Sequence, residues 1–184
     1  RPKAAESIRR ALVLLADHEL NASSFAVRVV ASTGAALTDC LIAGLAALSG
    51  PAHGSATERV AAFLDEAARA AKPADAIAAR LSRGEPVPGF GHPLYPDGDP
   101  RAAVLLANPA LRKFMPTVRA VEAAMGFRPN IDFALVALER SYRLPPGSAL
   151  ALFAIGRSVG WIAHAFEQRA TGQLIRPRAR YVGP

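Results

Sequence analysis

Three of the four histidines in this 184-residue chain stand where a helical pattern breaks: His18 in DHELNAS, His53 in GPAHGSATE and His92 in PGFGHP. An imidazole can donate, accept or exchange a proton near neutral pH, and loops on rigid scaffolds carry most catalytic side chains. Each one alone equally suits a hydrogen-bonded structural histidine, which is the reading given to His164 inside GWIAHAFEQ. Asp132 in RPNID is a candidate carboxylate base; it also suits a helix N-terminus, where the dipole favours negative charge. Arg157 interrupts the apolar run ALALFAIGRSVGWIAHAF beside Gly156 and Gly160, and a guanidinium there needs an anion or a carboxylate partner, for which Glu58 and Glu167 are candidates. The stretch PGFGHPLYPDGDPR, residues 88–101, holds four prolines and three glycines. Such residues shape a loop, because one type lacks a donor N–H and the other tolerates left-handed backbone; this loop presents His92 and Arg101. It has neither the glycine spacing nor the preceding strand of a nucleotide-binding motif. No histidine pair has metal-ligand spacing and there is one cysteine, so no metal site is expected.

The elements that must position these groups read as helices, since apolar residues recur at three- and four-residue spacing and no strand-like alternation persists. The spacing predicts an all-α fold with helices near 4–16, 24–33, 36–49, 56–71, 74–82, 101–107, 110–125, 131–143 and 148–171. Gly50-Pro51, Gly84, the 85–100 loop and Pro145-Pro146 are the stops, and Ser55 with Glu58 forms a capping box opening the fourth helix. The helix over 36–49 is rich in Ala and Gly, so another helix can approach its backbone closely.

Composition narrows the partners. A chain 51% hydrophobic and 20% charged is globular, and a net charge of +7 points to nucleic acid, a membrane surface or anionic small molecules. The basic residues are scattered, and the densest group, RPRAR at 176–180, has only Tyr181 as a neighbouring aromatic. Anionic metabolites are therefore favoured over nucleic acid. The longest apolar stretch, LALFAI at 150–155, stops at Gly156 and Arg157, short of the roughly 20 residues a membrane helix needs, so no membrane partner is expected. The single Cys40 lies in an apolar helix and reads as a small buried hydrophobe in a reducing, cytoplasmic compartment. The first residues show no signal-peptide pattern and read as the interior of a longer chain.

Taken in order, DHELNASSFAVRVVAST, GPAHGSATE, GFGHPLY followed by DPRA, PNIDF, and GRSVGWIAHAFEQ followed by RPRARYVGP resemble the citrate synthase family along nearly the whole chain. The resemblance is to the carboxy-terminal half, with roughly 200 preceding residues absent. It implies an all-helical enzyme with a large domain, here 1–56 and 144–184, and a small domain, 57–143, working as a homodimer whose interface includes helices 24–33 and 36–49. It implies condensation of acetyl-CoA with oxaloacetate and hydrolysis to citrate and CoA, a step of the tricarboxylic acid cycle, with no cofactor. In that scheme Asp132 removes the methyl proton, His53 hydrogen-bonds the thioester oxygen and His92 polarises the ketone. His18, Arg101, Arg157 and Arg176 bind oxaloacetate, Arg176 from the other subunit. Val87, Pro88, Gly89, Phe90 and Gly91 cradle the adenine end of CoA. The 184 residues alone are expected to be inactive. Three departures stand out. Pro93 and Pro96 replace basic residues that family members often carry, one of which contacts a CoA phosphate. DFALV stands for Asp-Phe-Tyr-Ser-Gly, and GPAHGSATE for GPLHGGANE. Alternatives are 2-methylcitrate synthase, a citryl-CoA lyase-like activity, and a non-catalytic homologue that senses carboxylates or CoA.

Overall fold

The computed structural model describes residues 2–54 and 56–183. Among them run nine α-helices: α1 Pro2–Leu15, α2 Ala22–Ser32, α3 Leu37–Leu48, α4 Ala56–Arg69, α5 Pro73–Ser82, α6 Pro100–Leu106, α7 Met115–Met125, α8 Ile131–Ser141 and α9 Ser148–Ala170. A 3-10 helix, Pro109–Phe114, precedes α7, and the described residues hold no strand, only an isolated bridge between Phe90 and Pro129. The expected helix over 110–125 is thus two elements. Pro109 opens the first and Pro116 the second; a proline has no N–H to give to the preceding turn, so a new helix starts there. The cap expected at Ser55 lies outside the described residues.

Helices α1, α2, α3 and α9 pack on one another, while α4 packs with α5 and α8, and α5 with α7; α8 against α9 and α1 against α6 join the two groups. The main core runs through both, and a smaller cluster of Phe63, Ile77, Val87 and Val121 lies in the second group. The close approach expected of the Ala- and Gly-rich helix is present: a Cβ on Gly44 of α3 would lie 2.8 Å from the Trp161 ring and 2.9 Å from Val27. Cys40 is buried there as a free thiol.

One expectation is corrected. Helix α9, 23 residues with a mean hydropathy of 1.4 over its most apolar window, is long and apolar enough to cross a membrane by length and composition. The run of consecutive apolar residues stops at Gly156 and Arg157, but the helix expected over 148–171 continues through them as they face α1, so the apolar length relevant to a membrane is that of the whole helix. Its buried side carries Arg157, Trp161 and Gln168 against α1 and α2, the pattern of a core helix.

Candidate active site

The end of α1 is seated on α9. A side chain on Gly156 would meet Leu15, and one on Gly160 would overlap the Ala16 carbonyl, so the two glycines let the backbones touch. Arg157 Nε donates to Leu15 O at 2.8 Å. The chain then turns through His18 and Glu19, the latter at a left-handed φ of 52°, to Asn21. Asn21 caps α2 by accepting from Ser24 N at 3.1 Å and donates through Nδ2 to His18 O at 3.2 Å, fixing the histidine to the helix start.

The second positioning device is the loop before α6. Gly89 has φ 87°, and a Cβ there would lie 2.9 Å from Val60, so both conformation and space demand glycine. Gly91 N donates to Arg128 O at 2.8 Å, and Asn130 N to Gly89 O at 2.9 Å. Asn130 Nδ2 donates to Gly91 O at 3.0 Å, while its Oδ1 accepts from Asp132 N and Phe133 N as the cap of α8. One side chain thus joins the loop to the helix that carries Asp132. Val87 and Phe90 are anchored in the core, Phe90 packing on Phe133 at 4.9 Å between ring centroids.

These devices gather His18, His92, Arg101 and Tyr95. His18 Nε2 lies 2.9 Å from Tyr95 Oη, the His18 and His92 rings meet edge-on at 5.3 Å, and the Arg101 guanidinium sits 5.5 Å from the Tyr95 ring. Leu94 N donates to His92 Nδ1 at 3.2 Å, so the neutral ring carries its proton on Nε2. A second group lies around Phe153, whose ring is 6.1 Å from His53 and 5.1 Å from Arg157. His53 Nε2 is 3.0 Å from Ser23 Oγ, which Trp161 Nε1 also contacts at 3.2 Å. The fields of Arg101 and Arg157 connect the groups. Burial first, then both arginines, lowers the His18 pKa to about 4. Burial and Arg157 lower His53; burial and Arg101 lower His92. All three rings are therefore neutral at pH 7.

Arg157 is 1% exposed, its Nη2 has no hydrogen-bond partner, and burial, reinforced by Arg101, brings its pKa down to about 10. The partners expected for it are elsewhere: Glu167 pairs with Arg28 at 2.9 Å, and no bond joins Glu58 to Arg157. Asp132 lies in the first turn of α8, as a dipole argument requires, yet among the described residues its carboxylate accepts no hydrogen bond. Burial raises it to about 6 against the attraction of Arg101. Such an array can hold an anion on a buried cation, take up a proton at a poised carboxylate and donate hydrogen bonds from uncharged imidazoles.

Arg176 is not brought to the cluster. It is exposed in the irregular tail, and no hydrogen bond or ion pair links it to the other residues. Sequence reasoning missed Asp99, Ser23, Tyr95 and Phe153. Asp99 was findable, since an Asp before a Pro at a helix start is a capping signal; it accepts from Arg101 N at 3.0 Å, Arg101 Nε at 2.9 Å, Arg101 Nη2 at 2.8 Å and Ile131 N at 2.9 Å. It thereby ties Arg101 to the start of α8.

Fold and site together define an all-helical protein with a buried, partly unsatisfied guanidinium, three uncharged imidazoles and a raised carboxylate. The chain belongs to the citrate synthase family, whose model described as citrate synthase, C-terminal domain, matches residues 1–178. It is 38% identical over 196 aligned residues to a putative citrate synthase 2 of Mycobacterium tuberculosis, covering 100% of this chain and 52% of that protein. It is similar to the ternary complex of carboxymethyl coenzyme A and oxaloacetate with citrate synthase from Thermoplasma acidophilum, with a TM-score of 0.83, 32% identity and coverage of 100% and 53%. It is also similar to citryl-CoA lyase from Hydrogenobacter thermophilus, with a TM-score of 0.85, 27% identity and coverage of 100% and 78%. The chain spans about half the length of the curated relatives it matches.

Proposed function

We propose that the full-length protein condenses acetyl-CoA with oxaloacetate and hydrolyses the product to citrate and CoA. One observation carries the reading: a carboxylate raised to about 6 lies within the field of Arg101, the same arginine whose field reaches His18, His92 and the buried Arg157, whose Nη2 lacks a partner. Asp132 takes a proton from the acetyl methyl while His53 donates a hydrogen bond to the thioester oxygen, so that charge leaving the carbon is met as it develops. The new carbon nucleophile attacks the ketone carbon of oxaloacetate, and the ketone electrons move to oxygen, which His92 Nε2–H protonates or polarises. Water then cleaves the citryl thioester, releasing citrate and CoA. His18, Arg101 and Arg157 hold the oxaloacetate carboxylates, and the Val87–Gly91 backbone cradles CoA. No cofactor is needed.

The reading includes a cytoplasmic homodimer and the division into a large domain, 1–56 with 144–184, and a small one, 57–143. The exposed apolar side chains of Phe25, Ile42 and Leu45 on α2 and α3 support an interface there, and Arg176 then reaches the partner's site. The citryl-CoA lyase likeness, with the loss of hydroxyls in DFALV, supports a second reading as a cleaving enzyme. Thiol release from acetyl-CoA or propionyl-CoA with oxaloacetate, measured on the full-length protein, decides. Oxaloacetate-dependent release is expected, and preference for propionyl-CoA would mark a 2-methylcitrate synthase. Cleavage of citryl-CoA to acetyl-CoA and oxaloacetate without release would favour the lyase, and binding without turnover a sensor.

A further inference from the structure

Helix α9 presents Arg157, Trp161, His164 and Gln168 at spacings of four, three and four residues, one face of the helix, and all four reach into the segment from Leu15 to Arg28 or the turn after α9. Within this row His164 has a fixed proton. Arg28 Nη1, which can only donate, lies 2.9 Å from His164 Nδ1, so Nδ1 accepts and the neutral ring's hydrogen is on Nε2, donated to Asp17 Oδ1 at 3.1 Å. The charged groups facing the ring are Asp17 from the α1–α2 turn, Arg28 from α2 and Glu167 from α9 at 3.9 Å.

Asp17 has a second place to go. Its Oδ1 lies 3.1 Å from where a Gly160 Cβ would stand, between Arg157 and His164 along the same helix, and Gly160 leaves that path open. Arg157 is tied to Leu15 O, two residues before Asp17, and its Nη2 is buried without a partner. Released from His164, this carboxylate, 56% exposed and anchored two residues beyond Leu15, can turn along Gly160 toward the buried guanidinium, where a charge-assisted bond is strong.

We propose that His164 is a positioning residue that holds the Asp17 carboxylate away from Arg157, keeping the guanidinium available for a carboxylate of the substrate. The inference rests on the proposed function, because it takes that substrate to be oxaloacetate. Asp17 is a built-in competitor and His164 its restraint. The negative field of Asp17 works at Arg157 against burial and Arg101, in the direction such competition requires.

The test uses the full-length protein, with oxaloacetate binding followed by calorimetry and thiol release by steady-state kinetics. His164→Ala frees Asp17 and should raise the Kd and KM for oxaloacetate about ten-fold, with kcat and the acetyl-CoA KM within about two-fold. His164→Gln, which can still accept from Arg28 and donate to Asp17, should stay within about three-fold of wild type. Asp17→Asn alone should behave as wild type, and His164→Ala with Asp17→Asn should recover to within about two-fold, a coupling that a structural anchor would not show. If His164→Ala does not fold, His164→Met keeps the bulk without the N–H and takes its place. An unchanged oxaloacetate KM in the single variant, or equal losses in the single and double variants, overturns the inference. A wild-type protein that neither binds oxaloacetate nor releases thiol overturns the proposed function, and the inference with it.

Discussion

Asp99 and Asp132 are neighbours through Ile131, whose N–H bonds Asp99, yet the two carboxylates live in opposite conditions. Burial works to raise both. Asp99 answers it with four hydrogen bonds, three from Arg101, and ends below the usual carboxylate range. Asp132 accepts none and ends at about 6. The same arginine acts on both: bonded to Asp99 it overcomes burial there, while at Asp132, which it reaches only through space, its attraction is outweighed by burial. A satisfied carboxylate is used up in holding structure, and an unsatisfied one retains the capacity to bind a proton; pairs tuned apart in this way mark acid–base assignments.

The comparison breaks most forcefully at Asp132. Asp132→Asn should lower kcat about a thousand-fold, within the range general-base removal produces, with oxaloacetate binding unchanged by calorimetry. The sign of its stability effect is opposite. Because the folded pKa lies above the 3.8 of a free aspartate side chain, the fold is favoured by the protonated carboxyl below about pH 4, and that advantage is lost as pH rises through about 6. The amide variant should therefore be more stable than wild type by about 1–2 kcal/mol at pH 8, with the gap closing toward pH 4, as read by denaturant melts. Near-wild-type turnover in this variant would remove Asp132 from the chemistry.

Asp99→Ala makes the converse test. It leaves Arg101 buried and unpaired, which should cost about 3–5 kcal/mol of stability in the same melts. A cost below about 1 kcal/mol would mean that Arg101 is not held by Asp99 and that the two carboxylates are less different than they look.

Next comes the pH profile. The acid limb of kcat/KM for acetyl-CoA should carry Asp132, falling about ten-fold per unit below about pH 6, well above the range in which His18 takes up its proton. A profile flat down to pH 5 would contradict the raised carboxylate.

The smallest effect lies at the edge of the site, where charge has been removed rather than paired. Pro96 opens the turn closed by Gly98 N to Tyr95 O at 3.0 Å, and it is exposed. Pro96→Lys should lower the acetyl-CoA KM a few-fold at low salt, since an exposed cation on a phosphate contributes up to about 1 kcal/mol, and leave the oxaloacetate KM alone. Pro96→Gln, equally freed at the turn, should not. Identical Lys and Gln variants would end the idea that this loop is a phosphate site short of a cation.

Helix existence was legible because burial imposes a period of three to four residues on every element, and the small residues of 36–49 announced the close contact found at Gly44. What the period cannot carry is partnership between distant positions. Arg157 looked in need of a carboxylate and found a carbonyl, Leu15 O, because a backbone acceptor leaves no trace in residue type. His164 read as structural for the same reason: its partners, Asp17 and Arg28, lie 147 and 136 positions away. The break inside 110–125 was legible in principle at Pro116 but was overridden by an apolar pattern that continues across it.

Asn130, finally, gives the loop and the base a common origin. Its amide holds Gly91 O and its carbonyl holds the first turn of α8, so the backbone proposed to receive CoA and the carboxylate proposed to act on it are measured from one side chain. A rearrangement that keeps these bonds carries both together, so the spacing between them is set once, by the reach of a single amide.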